Sequence, residues 1–233
     1  MARLLKIFFV LILISFFISC QSNKLNDKIT ILTIGDSNGF GPGKWPDQLA
    51  KMLGDKYNVV NNSQGGRTVG FDNLGRVELN TLKQIDTILT KASREVGAIG
   101  GFDKVLICLG TNDCKAVFDS VQVEVAPNLE KLIQSVRAFK FPNGQTPAIT
   151  IISPPPYGKD GYASEKYRDG DKKVAALVPQ FRELAEKLGC DFIDIHAPML
   201  PVVEMLTKDG VHFKEDGYKM MAELITTQLQ AEQ

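Results

Sequence analysis

The sequence contains a serine, an aspartate and a histidine whose surroundings suit nucleophilic catalysis. Ser37 stands in GDSNG directly after the apolar run ITILTIG, which fits the G-x-S-x-G pattern of a serine on a tight turn between a strand and a helix. Asp209 precedes His212 by three residues in KDGVHF, near the C-terminus. At that spacing in a turn, one imidazole nitrogen can face the carboxylate while the other faces the serine hydroxyl. Such a trio would cleave an ester through an acyl-enzyme.

The short pattern around Ser37 does not decide its role by itself. A turn serine that hydrogen-bonds its own backbone is the usual occupant of such a stretch. The nucleophile elbow of the α/β-hydrolases also uses G-x-S-x-G, but that elbow follows several strands and its histidine lies far from the acid. Here the serine follows the first strand-like run, and the acid and base are neighbours, which disfavours the elbow.

Five apolar, strand-like runs alternate with stretches of helical periodicity. The runs cover residues 29–35, 57–62, 103–110, 148–154 and 191–195. The clearest helix has apolar residues on one face at positions 174, 177, 181, 184 and 188, and we expect Pro179 to kink it or to mark its effective start. Further helices are predicted over residues 45–54, 78–95, 125–140 and 216–230. This rhythm predicts an α/β fold with a parallel sheet covered by helices on both faces.

Polar clusters follow four of the predicted strands. They are Asp36-Ser37-Asn38, the segment 61–68, the segment 110–113, and Ser153 with the following PPPYG. Ligands bind outside the carboxyl ends of the strands in a parallel sheet, so all four clusters are expected on one rim. Each cluster also has the ordinary composition of a turn between a strand and a helix.

These clusters give the chain a resemblance to the GDSL or SGNH hydrolase family. GDSNGFG matches the first block of that family, NNSQGGRT the glycine block, GTND the third block and DGVHF the closing D-x-x-H block, all in the family's order. The resemblance implies a catalytic triad of Ser37, Asp209 and His212. It also implies that the oxyanion donors are the backbone N–H groups of Ser37 and Gly66 and the side-chain amide of Asn112.

The resemblance also implies a fold and an activity. It implies a single-domain, three-layer α/β/α sandwich over residues 29–233, with a flavodoxin-like sheet of five parallel strands. GRT, GTNDCKAVF and ISPPPYG are similar to arylesterase-like and acetyl-transferring members, which implies a serine esterase for short acyl groups, with O-acetyl groups on carbohydrates as the expected substrate. A lipase or lysophospholipase of the same family is the alternative enzyme. A non-catalytic surface lipoprotein that binds glycans is the alternative without catalysis.

Trp45, Arg67 and Tyr157 are the candidate substrate-binding residues. Tyr157 shares the loop after the fourth strand with Tyr162 and Tyr167, and these rings would either pack on a sugar or aryl ring or fix the loop. Trp45 would either crowd the acyl side of the site or anchor the following helix. Arg67 would either meet an anionic group of the substrate or fix its own loop.

The remaining titratable residues predict neither a metal site nor a cofactor. The only histidines are His196 and His212, and neither CxxC nor HExxH occurs. We expect a structural role for His196 and a helix-capping or turn role for Asp113. Three cysteines follow the N-terminal segment, and in an exported protein an odd number leaves at least one free thiol; they are Cys108, Cys114 and Cys190.

The first twenty residues, MARLLKIFFVLILISFFISC, have the pattern of an export signal. A basic start precedes an apolar run from Ile7 to Ile18 that is shorter than the roughly 20 residues needed to span a bilayer. FISC resembles the bacterial lipobox, with Phe17 in place of the usual leucine, which implies a signal peptide over residues 1–19 and lipidation of Cys20. Residues 20–28 then form a polar tether, and Gln21 favours the outer membrane. A plain, cleaved signal peptide is the alternative.

The charge balance limits the classes of partner. The chain has 27 basic and 27 acidic residues, and it becomes slightly acidic once Arg3 and Lys6 leave with the signal. No basic surface for nucleic acid is therefore expected. The expected partners are a small ester or an acetylated carbohydrate, and a membrane reached through the lipid.

Overall fold

A parallel sheet of five strands forms the centre of the computed structural model, which describes residues 28–97 and 100–231. In space the strands follow the order β2-β1-β3-β4-β5. Their bounds are β1 Ile29–Gly35, β2 Tyr57–Asn61, β3 Lys104–Cys108, β4 Ala148–Ile152 and β5 Asp191–Ile193. The predicted α/β class and the five parallel strands are confirmed.

The strand register brings the carboxyl ends of the central strands to one level. Gly35 at the end of β1 pairs with Cys108 at the end of β3, and Cys108 pairs with Ile152 at the end of β4. The loops that follow these three strands therefore leave the same edge of the sheet, as the sequence predicted.

Helices cover both faces of the sheet. The α-helices are α1 Trp45–Leu53, α2 Thr81–Glu95, α3 Val125–Ala138, α4 Lys159–Tyr162, α5 Gly170–Leu188, α6 His196–Met199, α7 Val203–Leu206 and α8 Glu215–Ala231. One buried cluster joins α2, α3 and α5 to Leu32 and Ile34 of β1, and a second joins α1 and α8 to Ile31. Because successive strand residues point to opposite faces, one strand supports both layers of the three-layer sandwich.

The helix that contains Pro179 differs from the prediction. α5 begins at Gly170 and continues through Pro179 to Leu188, so the proline does not mark its start. Pro179 lies on the exposed face, as does Ala175, whose carbonyl loses its usual helical donor. Water can bond that carbonyl on an exposed face, which makes the interruption tolerable.

The predicted signal peptide, residues 1–19, and Cys20 lie outside the described residues, as does most of the predicted tether. None of the helices formed by residues 28–97 and 100–231 combines the length and the hydrophobicity that a bilayer span requires.

Candidate active site

A tight turn after β1 presents Ser37. The N–H of Gly39 donates to the carbonyl of Asp36 at 3.1 Å, and the N–H of Asn38 donates to the Asp36 carboxylate at 2.9 Å. A side chain at position 39 would not fit, because its Cβ would lie 2.4 Å from Ser63 Oγ. The GDSNG segment is therefore a turn whose backbone is bonded internally, with Ser37 at its first position after the aspartate.

The structure brings Ser37, His212 and Asp209 into one hydrogen-bonded chain. His212 Nε2 lies 3.0 Å from Ser37 Oγ, and His212 Nδ1 lies 2.7 Å from Asp209 Oδ2. The other carboxylate oxygen of Asp209 accepts the backbone N–H groups of His212 at 2.7 Å and of Val211 at 3.0 Å. One aspartate thus orients the imidazole ring through both the side chain and the backbone of the histidine.

These hydrogen bonds also hold Asp209 in its ionised form. Partial burial raises the pKa of Asp209, but the bonds from the His212 ring and from the two backbone N–H groups outweigh it and lower the pKa below its ordinary value. An ionised carboxylate favours the imidazole tautomer that carries its proton on Nδ1, which leaves Nε2 free to accept the serine proton.

The turn that carries Asp209 and His212 requires the glycine between them. Gly210 has φ +74, and a Cβ at this position would lie 2.0 Å from the backbone nitrogen of Gly161. The carbonyl of Gly210 accepts the N–H of Gly158 at 2.8 Å. The loop after β4 is therefore packed directly against the D-G-V-H turn and holds it in place.

The glycine block, which carries one of the candidate oxyanion donors, lies beside Ser37. A Cβ at Gly65 would lie 3.9 Å from the Cβ of Ser37, which puts the glycine block next to the nucleophile. Gly66 has φ +82, a conformation that glycine adopts without strain. The buried Asn112 amide donates one N–H to the Arg67 carbonyl at 3.1 Å, and its second N–H is the candidate oxyanion donor.

The carboxyl groups of Asp113 and Asp36 are buried and hydrogen-bonded to the backbone of these loops. Both oxygens of Asp113 accept the N–H of Val69, at 2.9 and 3.0 Å, and burial raises the pKa of Asp113 to about 7. Burial also raises the pKa of Asp36, an effect that its bond from Asn38 and the nearby His212 partly offset. Asp113 therefore has the expected structural role, although it joins two loops rather than capping a helix.

Two of the predicted substrate-binding residues lie in the core instead. Trp45 is 1% exposed and packs with α8 in the second buried cluster. Tyr157 is 2% exposed, its hydroxyl donates to the Thr111 carbonyl, and its ring packs against Tyr167 with 5.3 Å between centroids. The structure corrects both assignments, because neither ring can contact a substrate without a rearrangement of the core.

Arg67, the third predicted substrate-binding residue, fixes its own loop. Its guanidinium donates to the backbone carbonyl and side-chain oxygen of Asn62 and to Gln64 Oε1 at 3.2 Å. The side chain is buried, and desolvation lowers its pKa to about 10. The structure thus replaces the predicted substrate contact with the loop-fixing role.

Sequence reasoning missed two features of the site. Phe40 is 56% exposed, and a Cβ at Gly65 would lie 3.9 Å from both Phe40 Cδ1 and Ser37 Cβ, so an exposed aromatic ring lies near the nucleophile. Behind the nucleophile, Asn38 donates to the Val211 carbonyl at 3.3 Å and accepts from the Tyr218 hydroxyl at 3.4 Å. An aromatic side chain between glycines was a usable signal for Phe40, whereas nothing local indicates the partners of Asn38.

The other candidate ligand residues have structural partners. Among residues 28–97 and 100–231, no cluster of three histidine, cysteine or acidic side chains could hold a metal ion. His196 is buried at the start of α6, where its N–H donates to Ser153 Oγ at 3.1 Å, in agreement with a structural role. Within the same ranges the cysteines are unpaired; they are Cys108, Cys114 and Cys190.

A family model and a curated protein both match the sequence of this chain. Residues 32–220 match the model of the GDSL-like lipase/acylhydrolase family. The chain is 30% identical over 222 residues to an acetylxylan esterase of Xylanibacter ruminicola, an alignment that covers 85% of this chain and 42% of that protein. The chain therefore spans less than half the length of this curated relative.

Solved structures share the fold. A carbohydrate acetylesterase from Sinorhizobium meliloti aligns with a TM-score of 0.73 at 22% identity, covering 88% of this chain and all of that one. The aryl esterase of M. smegmatis aligns with a TM-score of 0.70 at 22% identity, covering 87% and 99%. A structure described as a putative arylesterase, from Agrobacterium tumefaciens, aligns with a TM-score of 0.70 at 25% identity, also covering 87% and 99%.

Proposed function

We propose that this chain, which belongs to the GDSL-like lipase/acylhydrolase family, is a carboxylic ester hydrolase that removes acetyl groups from carbohydrates through a serine nucleophile. The observation that carries this proposal is the hydrogen-bonded chain Asp209–His212–Ser37, with distances of 2.7 and 3.0 Å. A nucleophile, a base and a group that orients the base are the parts that acyl transfer requires.

In the acylation step, Ser37 Oγ attacks the acetyl carbonyl carbon while His212 Nε2 accepts the serine proton. Negative charge develops on the carbonyl oxygen, where the backbone N–H groups of Ser37 and Gly66 and the amide of Asn112 stabilise it. Asp209 stabilises the imidazolium that forms. His212 then donates the proton to the departing sugar oxygen, which leaves as a free hydroxyl, and the acetyl group remains on Ser37.

Deacylation repeats these roles with water. His212 accepts a proton from a water molecule, whose oxygen attacks the acetyl-enzyme carbonyl. The tetrahedral intermediate uses the same three donors, each of which typically contributes about 10²–10³ in rate. Collapse of the intermediate returns the proton to Ser37 and releases acetate.

The openness of the site supports a substrate on a carbohydrate chain. The side chains of His212 and Asp209 are 38% and 56% exposed, so the triad lies near the surface rather than at the end of a tunnel. A bulky glycan can approach such a site. The names of the similar proteins, an acetylxylan esterase and a carbohydrate acetylesterase, favour the same class of substrate.

The test is acetate release from acetylated xylan and acetylated xylo-oligosaccharides, with Ser37→Ala as the matched control. We expect release by the wild-type enzyme and none by the variant. We also expect kcat/KM to fall at least about tenfold from p-nitrophenyl acetate to p-nitrophenyl octanoate. A loss of about 1.4 kcal/mol in transition-state binding, caused by a poorer fit of the longer acyl chain, has this effect. Equal or faster octanoate turnover, with no acetate release from glycans, would instead favour the lipase or lysophospholipase alternative.

We further propose that Cys20 carries a lipid that anchors the catalytic domain to a bacterial outer membrane. The support is the sequence FISC after an apolar run, with Gln21 at the following position. Mass spectrometry of the mature protein should find an acylated N-terminal Cys20, and Cys20→Ala should release the protein or leave it unprocessed. A mature N-terminus beyond residue 20 without lipid would contradict the anchor but not the esterase activity.

A further inference from the structure

A groove of about 560 Å³ lies beside the candidate active site. Its walls are the turn over residues 72–75, the segment 115–118 and residues 165–166, and we call it the lateral groove. The volume lies within the range of about 300–1,000 Å³ that is typical of ligand sites. None of the residues in the proposed triad lines this groove, so it is separate from the reacting atoms.

The lateral groove is connected to the oxyanion side of the site. Asn73, in its wall, donates from Nδ2 to the carbonyl of Gly66 at 2.5 Å. Lys115, in the opposite wall, donates from Nζ to Asn73 Oδ1 at 3.0 Å and follows Asn112 by three residues. Both walls are therefore attached to the segments that carry candidate oxyanion donors, which places the groove next to the glycine block.

The chemistry of the lateral groove suits a neutral sugar chain. Its surface is mainly apolar, with Leu74 at 75% exposure and Val117 at 74% exposure. Its four charged residues cancel, since two are acidic and two are basic: Asp72, Glu165, Lys115 and Lys166. Sugar rings present apolar C–H faces that match the exposed Leu74 and Val117 and hydroxyl edges that match the charged side chains, whereas a polyanion would meet two carboxylates.

Leu74 has a strained backbone conformation that no burial of its side chain compensates. Its φ is +58 and its ψ is +27, in the left-handed region that disfavours residues with a Cβ. The side chain is exposed, so burial in the core does not offset this strain. Strain of this kind is concentrated at ligand-binding sites, and here it directs an apolar side chain outward over the groove.

We infer that the lateral groove binds the sugar units next to the acetylated one, with Leu74 and Val117 contacting the faces of those sugars. This inference rests on the proposed function and adds to it. It predicts an enzyme that prefers acetylated oligosaccharides over acetylated monosaccharides, because longer chains gain contacts that short ones lack.

The experiment measures kcat/KM for acetylated xylo-oligosaccharides of increasing length and for p-nitrophenyl acetate. For the wild-type enzyme we expect kcat/KM to rise with chain length. Leu74→Asn should lower kcat/KM for the longest oligosaccharide about tenfold, the scale of one lost apolar contact, and should change p-nitrophenyl acetate turnover less than about twofold. Its melting temperature should stay constant or rise, because asparagine adopts the left-handed conformation more readily than leucine.

Val117→Ser provides a second test from the opposite wall and should show the same selective loss on long oligosaccharides. Leu200→Ser is the matched control, since Leu200 is also an exposed apolar residue but is not part of the groove. A loss in the control as large as that in the two groove variants would contradict the inference.

The outcomes separate this inference from the proposed function. If the wild-type enzyme cleaves p-nitrophenyl acetate but releases no acetate from any oligosaccharide, the proposed substrate class is wrong and the groove assignment fails with it. If acetate is released without dependence on chain length or on Leu74, only the groove assignment is wrong. If Leu74→Asn selectively lowers octanoate turnover, the groove holds an acyl chain and the inference is overturned.

Discussion

His212 Nε2 lies 3.0 Å from Ser37 Oγ, although the two residues are 175 positions apart in the chain. Two turns produce this distance, one after β1 and one before α8. Asn38 joins them, because it follows the nucleophile in the first turn and donates to the Val211 carbonyl in the second. The contact between base and nucleophile is thus maintained by a neighbouring hydrogen bond as well as by the sheet.

Replacement of the nucleophile should abolish turnover while binding remains. Ser37→Ala is expected to lower kcat for p-nitrophenyl acetate by at least about 10⁴. A serine-directed fluorophosphonate should label the wild-type protein at Ser37, as read by peptide mass spectrometry. An adduct on another residue, or no adduct while turnover persists, would contradict the mechanism.

Asp209→Asn should lower kcat by about 10²–10⁴. The amide NH₂ of asparagine would face His212 Nδ1 and favour the tautomer that carries the proton on Nε2, which cannot accept the serine proton. Steady-state kinetics measure the effect. Asp216→Asn, at an exposed acid in the first turn of α8, is the matched control and should retain full activity.

Asn112→Ala should lower kcat by about 10²–10³ with little change in KM, because an oxyanion donor acts mainly in the transition state. Asn112→Asp should be worse, since it places a negative charge beside the developing oxyanion. An Asn112→Asp variant that is more active than Asn112→Ala would exclude the oxyanion role.

Two aromatic residues near the nucleophile should respond differently to replacement by leucine. Trp45→Leu should destabilise the protein by about 2–4 kcal/mol because it leaves a cavity in the core. Phe40→Leu should change the free energy of unfolding by less than about 0.5 kcal/mol but should lower kcat/KM for acetylated oligosaccharides. Urea denaturation and acetate-release kinetics test the pair, and the reverse pattern would contradict the assigned positions.

The stability of the fold should decrease as pH rises from about 4 to 7. The pKa of Asp113 is raised to about 7 in the folded protein from an ordinary value of 3.8, so over this range the folded state binds a proton that the unfolded state has released. Unfolding free energy should therefore fall with pH through this window, by up to about 1.4 kcal/mol per unit, and level off above it. Asp36, whose pKa is also raised, adds to the same slope.

Asp113→Asn should reduce this slope, because an amide does not titrate. Urea denaturation at several pH values between 4.5 and 8 measures it. Because the two oxygens of Asp113 both accept the N–H of Val69, the variant is also expected to be less stable at low pH. An unchanged slope in the variant would show that Asp113 does not cause the pH dependence.

The sequence by itself determined the fold class and the composition of the proposed triad. The first predicted strand, residues 29–35, agrees with β1, because an apolar run followed by glycine, aspartate and serine specifies a strand and a turn locally. The contact between Asp209 and His212 was also predictable, since residues three apart in a turn are neighbours whatever the rest of the chain does. Parallel topology then required the polar clusters after the strands to share one edge.

Only the tertiary structure decided which side chains are available to a substrate. Trp45 and Phe40 are both aromatic and both follow the nucleophile closely, yet one is buried under α8 and the other is exposed beside Ser37. The sequence alone also did not predict the hydrogen bonds that join Asn73 to Gly66 and to Lys115 and so attach the lateral groove to the site. The physical reason is that burial depends on packing between elements distant in the chain, whereas periodicity and turn chemistry depend on neighbouring residues.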